Sequence, residues 1–216
     1  RDPKSTNAAS ASSKPSSSSS SASSKPGGSS KSSPSSKPSG GYNSSGNKGQ
    51  NGMNGRNPVL LDLNDNGLSI TDAGTSNLFL DIGGDGDQHR TAWVGAGDGV
   101  LMIDVDGDGK ISDRKEIVFT DWDPSADGDM QALRQVFDTN GNRLLDAGDA
   151  RWSQFKVMVT NADGTITQKS LKDLGIKSIN LTLDETKIVF DGGSSIDGQT
   201  RFTRTNGKTG LAASAT

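Results

Sequence analysis

Asp104-Val105-Asp106-Gly107-Asp108-Gly109-Lys110-Ile111-Ser112 is the stretch of this 216-residue chain that carries the most information. Three carboxylates stand at alternate positions, glycine follows for a sharp turn, and an apolar residue comes after. Asp is a poor helix former, but its short, stiff carboxylate suits tight loops that ligate a hard cation. Counting Asp104 as the first position, side-chain oxygens fall at the first, third and fifth, and the Lys110 carbonyl at the seventh. The closing acid expected at the twelfth is displaced: Lys115 occupies it, and Glu116 stands one residue later. Just upstream, Val100-Leu101-Met102-Ile103 reads as a buried strand that feeds the loop.

This is an EF-hand-type loop start, and the pattern recurs along the chain. Asp138, Asn140 and Asn142 repeat the first, third and fifth positions; Leu144 supplies the carbonyl, and Asp149 closes at the twelfth. Arg143 replaces the glycine of the sixth position, which asks a non-glycine residue to take a strained turn. Asp62, Asn64 and Asn66 open a third loop that has Ala73 at its end. Asp81, Asp85 and Asp87 mark a fourth without a third-position ligand. One Asp/Gly loop is an ordinary turn, but four in one domain point to cation binding. All-oxygen ligands in flexible loops favour Ca²⁺ over Mg²⁺.

Composition isolates the part of the chain that folds. Only 29% of residues are apolar, well below an ordinary domain. Eight of the 23 basic groups but only one of the 26 acidic groups fall in residues 1–56, so that segment carries +7 and the remaining 160 residues carry −10. The first segment is a Ser/Lys/Pro/Gly tract with Ser16 to Ser21 unbroken. Such a sequence buries too little to offset chain entropy, so it is expected to be a disordered linker. Lacking Arg–aromatic interleaving, it reads as a spacer and not as a nucleic-acid arm. Of the 25 acids in residues 57–216, all but Glu116 and Glu185 are Asp. Absent cysteine excludes disulfides and thiolate metal sites, and the lone histidine, His89, leaves no basis for a His-based zinc site. No apolar run is long enough for a membrane span.

Short apolar segments bounded by Gly/Asp/Asn clusters predict strands at 59–61, 78–80, 91–94, 100–103, 156–159, 178–183 and 187–190. Helical spacing predicts helices over 129–137 and 146–155, and a short one at 170–174. Together these give an α+β fold of short strands and short helices with EF-hand-like loops over residues 57–216. The three tryptophans, spread over three elements, read as core and not as a sugar-stacking face.

Pro58-Val-Leu-Leu-Asp62-Leu-Asn-Asp-Asn-Gly67 resembles the opening of a module found in secreted repeat-in-toxin (RTX) proteins. The resemblance continues through Asp81 to Asp87, Ala92-Trp93-Val94-Gly95, Asp98-Gly99, the Asp104 and Asp138 loops, and Leu174-Gly175-Ile176. The family is the calcium-dependent self-processing module of iron-regulated RTX proteins. It implies a bacterial protein exported by type I secretion, calcium ions as cofactor, and autocatalytic cleavage of an Asp-Pro bond at the module's start. There the Asp carboxylate attacks its own carbonyl, and the anhydride is captured by a lysine amine. Here that dipeptide is Asn57-Pro58. An amide is a far weaker nucleophile and gives no anhydride, so the expectation is a calcium-folded binding module, not an efficient enzyme. Two alternatives stand beside it: an active self-cleaving and ligating module, and a calcium-stabilised adhesion or carbohydrate-binding module. A monomer is expected, with calcium ions and another protein or a surface as partners, and with no nucleic acid.

Overall fold

A computed structural model describes residues 57–82 and 86–216. The linker expected over residues 1–56 therefore lies outside the described residues, as does Asp85. Thirteen strands follow one another: β1 Val59–Asp62, β2 Ile70–Thr71, β3 Phe79–Leu80, β4 His89–Arg90, β5 Trp93–Val94, β6 Asp98–Ile103, β7 Leu144–Asp146, β8 Phe155–Thr160, β9 Ile166–Ser170, β10 Ile176–Asn180, β11 Ile188–Val189, β12 Ser195–Arg204 and β13 Thr209–Ala215. One short helix, α1 (Asp129–Ala132), runs on into a π-type turn over Leu133–Phe137.

Nine strands form one antiparallel sheet in the order β7-β10-β12-β13-β1-β6-β8-β9, with β11 also paired to β12. At its centre β1 lies between β13 and β6. Every residue of β1 and β6 is buried, as expected of strands covered on both faces, and residues 59–61 and 100–103 within them are correspondingly unbroken apolar runs. Alternate residues serve two cores. Val59, Leu61, Leu101 and Ile103 join Phe119, Phe137, Phe155 and Phe202 on one face. Leu60 and Val100 join Trp93, Ile117 and Val118 on the other. The first core holds an aromatic cluster in which the Phe137 ring meets Phe155 and Trp122 edge-on at 5.2 Å. Trp93 is buried, and Trp122 and Trp152 pack half-buried on the first core.

The α+β expectation is overturned. Strand accounts for 36% of the described residues and helical turns for 11%, with a single helix, in a curled antiparallel sheet. The helix expected over 129–137 does form, and local causes account for the absence of the other two. Over 129–137 the chain is helical throughout, α over the first turn and π over Leu133–Phe137. Over 146–155, the Asp149 carboxylate accepts amide hydrogens from Thr139 and Asp146, folding the segment into a loop between β7 and β8. At 170–174, Ser170 completes β9 and its hydroxyl bonds with Asp173, while Gly175 takes φ +65° to turn the chain.

Candidate metal-binding loops and the 57–58 junction

Loop 104–116 is built by Asx-type hydrogen bonds. The Gly107 amide donates to Asp104 Oδ1 (2.8 Å), the Asp108 amide to Asp106 Oδ1 (3.1 Å) and the Lys110 amide to Asp108 Oδ1 (2.8 Å). Gly107 and Gly109 take positive φ, which lets the chain coil round the carboxylates. Ligand oxygens of Asp104, Asp106 and Asp108 all lie within 4.8 Å of one another, with Asp104 buried and the other two exposed. The Asp108 amide, and after it the Ser112 hydroxyl, holds the Asp106 carboxyl below the usual carboxylate range. Glu116 is 1% exposed. Its Oε1 accepts from the Val105 amide (3.1 Å) and its Oε2 from the amides of Ser112 (2.8 Å) and Asp113 (3.2 Å). The extra methylene of Glu makes up for its being one residue late.

Loop 138–149 repeats the arrangement. Asp138 accepts from the amides of Asn142 and Arg143, and Asn140 Oδ1 from Asn142. Arg143 adopts φ +65°, the strained turn its sequence position predicts. Asp149 accepts from the amides of Thr139 (2.8 Å) and Asp146 (2.9 Å). These are the second and ninth loop positions, the same two that Glu116 clasps through Val105 and Ser112. Two loops of different closing acid and length thus share one clasp. Leu144, the carbonyl position, opens β7.

Loop 62–67 is pinned by Asp62, which accepts from Asn66 (3.3 Å) and Gly67 (2.8 Å), and by Asn64, which accepts from Asn66 and donates to the Ala96 carbonyl. At the fourth loop the Gly86 amide donates to Asp81 Oδ2 (3.0 Å), and Asp87 is exposed.

Two acids absent from the sequence-derived set complete these loops. Asp146 occupies the ninth position of the second loop and accepts from the side-chain amides of Asn140 (3.2 Å) and Asn142 (2.9 Å). The Asn142 amide chiefly holds its carboxyl below the ordinary value. The loop count itself could have found it. Asp98 lies directly across from Asp62 in the β1–β6 register. It is fully buried; Oδ2 accepts from the Ser69 amide (3.0 Å) and hydroxyl (3.1 Å), while Oδ1 has no partner. Burial pushes the Asp98 carboxyl up, and the Asp62 charge adds to that, against the Ser69 hydrogen bonds. The Asp98-Gly99 motif marks the position, but its relation to Asp62 is made by strand pairing and not by local spacing.

Asn57 and Pro58 stand at the head of β1. The Pro58 carbonyl accepts from the Ala215 amide (3.1 Å), and Asn57 Nδ2 donates to Thr216 Oγ1 (3.0 Å). Gly128 leaves room for the Asn57 side chain: a Cβ there would stand 3.3 Å from Asn57 Oδ1.

The fold is an antiparallel sheet carrying paired, clasped Asp/Asn loops, with an X-Pro junction at the head of its central strand. The chain belongs to the SPM domain family, whose match covers residues 59–216, and the RTX resemblance holds. It is 32% identical over 162 residues to iron-regulated protein FrpA of Neisseria meningitidis serogroup C. That match takes in 70% of this chain and 14% of FrpA, so the chain spans about a seventh of that relative's length. Among the described residues no helix is long and apolar enough to cross a membrane.

Proposed function

We propose that this chain is a calcium-folded module of a secreted RTX-type protein, in which Asn57 in place of the family Asp suppresses rapid cleavage before Pro58. The observation that carries the reading is the repeated clasp. In two loops a buried acid ties the second and ninth positions together, and in the first the oxygens of Asp104, Asp106 and Asp108 converge. An all-oxygen donor set suits a hard cation. Asp104, Asp106, Asp108 and the Lys110 carbonyl would hold one ion. Asp138, Asn140, Asn142, the Leu144 carbonyl and Asp146 would hold a second, with Glu116 and Asp149 closing the loops. The unpartnered Asp98 oxygen, with Asp62, Asn64 and Asn66, makes the third loop a further candidate, and Asp81 with Asp87 the weakest.

Ion binding would act through folding. Without a cation the clustered carboxylates repel, and the binding free energy adds directly to the stability of the folded state. Such a chain stays unfolded at low intracellular calcium and folds after export. The test is a calcium titration followed by far-ultraviolet circular dichroism and by calorimetry. Expected is a cooperative gain of β signal with saturable binding; a chain that takes up no ion at millimolar calcium refutes the reading.

A further inference from the structure

The side chain of Asn57 is held by a directed hydrogen-bond chain. Asn57 Nδ2 donates to Thr216 Oγ1 at 3.0 Å, and the Thr216 hydroxyl donates in turn to Asp197 Oδ2. Asp197 is fixed from its other side by the Ser195 hydroxyl and by Lys187, whose Nζ lies 3.3 Å from Oδ1. Thr216 is itself pinned, since its backbone exchanges two 2.7 Å hydrogen bonds with Ser195. The Thr216 hydroxyl, with the Ser195 and Lys187 contacts behind it, holds the Asp197 carboxyl below its ordinary value, so it is ionised at neutral pH. The amide nitrogen of Asn57 therefore faces a hydroxyl backed by a carboxylate, the arrangement of a nucleophile beside its base.

Pro58 decides which chemistry is open. Ordinary deamidation begins when the following backbone nitrogen attacks the Asn side chain. Pro58 has no N–H and cannot do so. The remaining ring closure runs the other way, from Nδ2 to the Asn57 main-chain carbonyl carbon. We propose that Asn57 cleaves its own bond to Pro58 slowly by this cyclisation, with Thr216 as the proton-accepting catalytic residue and Asp197 as the residue that positions and charges it.

The step balances within the chain. The Nδ2–C bond forms and the C–N bond to Pro58 breaks. One proton leaves Nδ2 through Thr216 Oγ1 toward Asp197, and the Pro58 nitrogen takes up a proton and departs as a secondary amine. Residues 1–57 then end in a succinimide, which water opens to asparagine or isoasparagine. No anhydride forms, so no lysine amine is ligated. This is a different reaction from that of an Asp-Pro module, and it needs only the folded geometry at the 57–58 junction.

The full-length chain is incubated with saturating calcium at neutral pH for days, with circular dichroism recording its fold and intact-mass spectrometry following the products. Expected is a fragment 1–57 that first appears one water lighter than its free acid and passes with time to the asparagine and isoasparagine forms, together with a fragment beginning at Pro58. Thr216→Val should slow its appearance about 100-fold, the lower end of what a positioned base contributes, and Thr216→Ser should restore it to within a few fold. Asp197→Asn should both slow the reaction and make its rate climb with pH, because hydroxide then replaces the internal base; a purely structural role for Asp197 would not tilt the profile. A folded chain that stays whole overturns the proposal, as does a fragment ending in aspartate, or cleavage at equal rates in wild type and Thr216→Val. A chain that never folds with calcium instead refutes the metal reading.

Discussion

Asp129→Asn is the substitution whose effect can be worked out most fully. Asp129 opens α1 with no solvent exposure; its Oδ1 accepts from the Thr120 amide at 2.8 Å, and its Oδ2 has no partner. Burial, outweighing the hydrogen bonds from Thr120 and Phe119, pushes its carboxyl up to about 7 from 3.8. A carboxyl with a raised folded value binds more protons in the folded state than in the unfolded one. Its contribution is therefore fully present below pH 3.8 and is lost as pH rises toward 7. Well inside that window each pH step of one removes about 1.4 kcal/mol, and the slope falls off near pH 7, so the loss between pH 5 and pH 7 is about 2.3 kcal/mol. In a domain of this size that corresponds to a fall in Tm of roughly 5–9 °C. Asp106, Asp146, Asp163, Asp173, Asp184 and Asp197 all titrate below their ordinary values, so their contributions change below the usual carboxylate range, outside that interval. The asparagine amide keeps the Thr120 hydrogen bond and does not ionise. Urea unfolding at fixed calcium between pH 5 and pH 8 should therefore show the wild type weakening more steeply than Asp129→Asn, whose remaining slope comes from the raised Asp98 carboxyl. Equal slopes in the two proteins would refute the reasoning.

Glu116→Gln replaces one accepting oxygen of the 104–116 clasp by a donor facing backbone amides. The expected loss is about 3 kcal/mol for two charge-assisted hydrogen bonds, read as a lower Tm and a weaker calcium response; an unchanged titration would remove Glu116 from the loop closure. Asn57→Asp restores the family dipeptide where Gly128 and the end of β13 already hold the side chain. Calcium-triggered cleavage before Pro58 should appear within minutes to hours on a gel, and its absence would mean that more than residue 57 has been lost. Gly210 lies across from Phe202 in the β12–β13 pair, and a Cβ there would fall 2.2 Å from the Phe202 ring. Gly210→Ala should cost about 1–3 kcal/mol through overpacking, measurable by denaturant unfolding.

The sequence was legible where structure is local. The unbroken apolar runs Val59-Leu60-Leu61 and Val100 to Ile103 do form the doubly covered central strands, and Arg143 does adopt positive φ. The loop spacing singled out the carboxylates that converge at Asp104, Asp106 and Asp108. The two longest strands, β12 and β13, went unread. In β12, inward Ile196, Gly198, Thr200 and Phe202 alternate with less buried residues, but glycine and threonine give that face a weak apolar signal. Asn206-Gly207 between the strands is a strong hairpin signal that would have revealed the pair. The helical spacing over 129–137 did mark a helical segment, but the expectation over 146–155 failed because apolar spacing near 3.6 also fits residues along a loop that a buried carboxylate ties down, as Asp149 does. The Asp98-Gly99 motif was legible, but its place against Asp62 was not, since only pairing of β1 with β6 makes it.

The placement of β1 between β13 and β6 has a consequence for timing. The contact between Asn57 and Thr216 spans 159 positions, and contacts so far apart in sequence form late, after most of the chain-closure entropy has been met. The junction before Pro58 is therefore among the last parts of the module to acquire its surroundings. Thr216, Asp197 and the Ala215 amide all come from the module's far end. The bond at the module's front is thus under the control of its rear: a half-folded module has no means of acting on it, and completion of the sheet serves as the licence for whatever happens there.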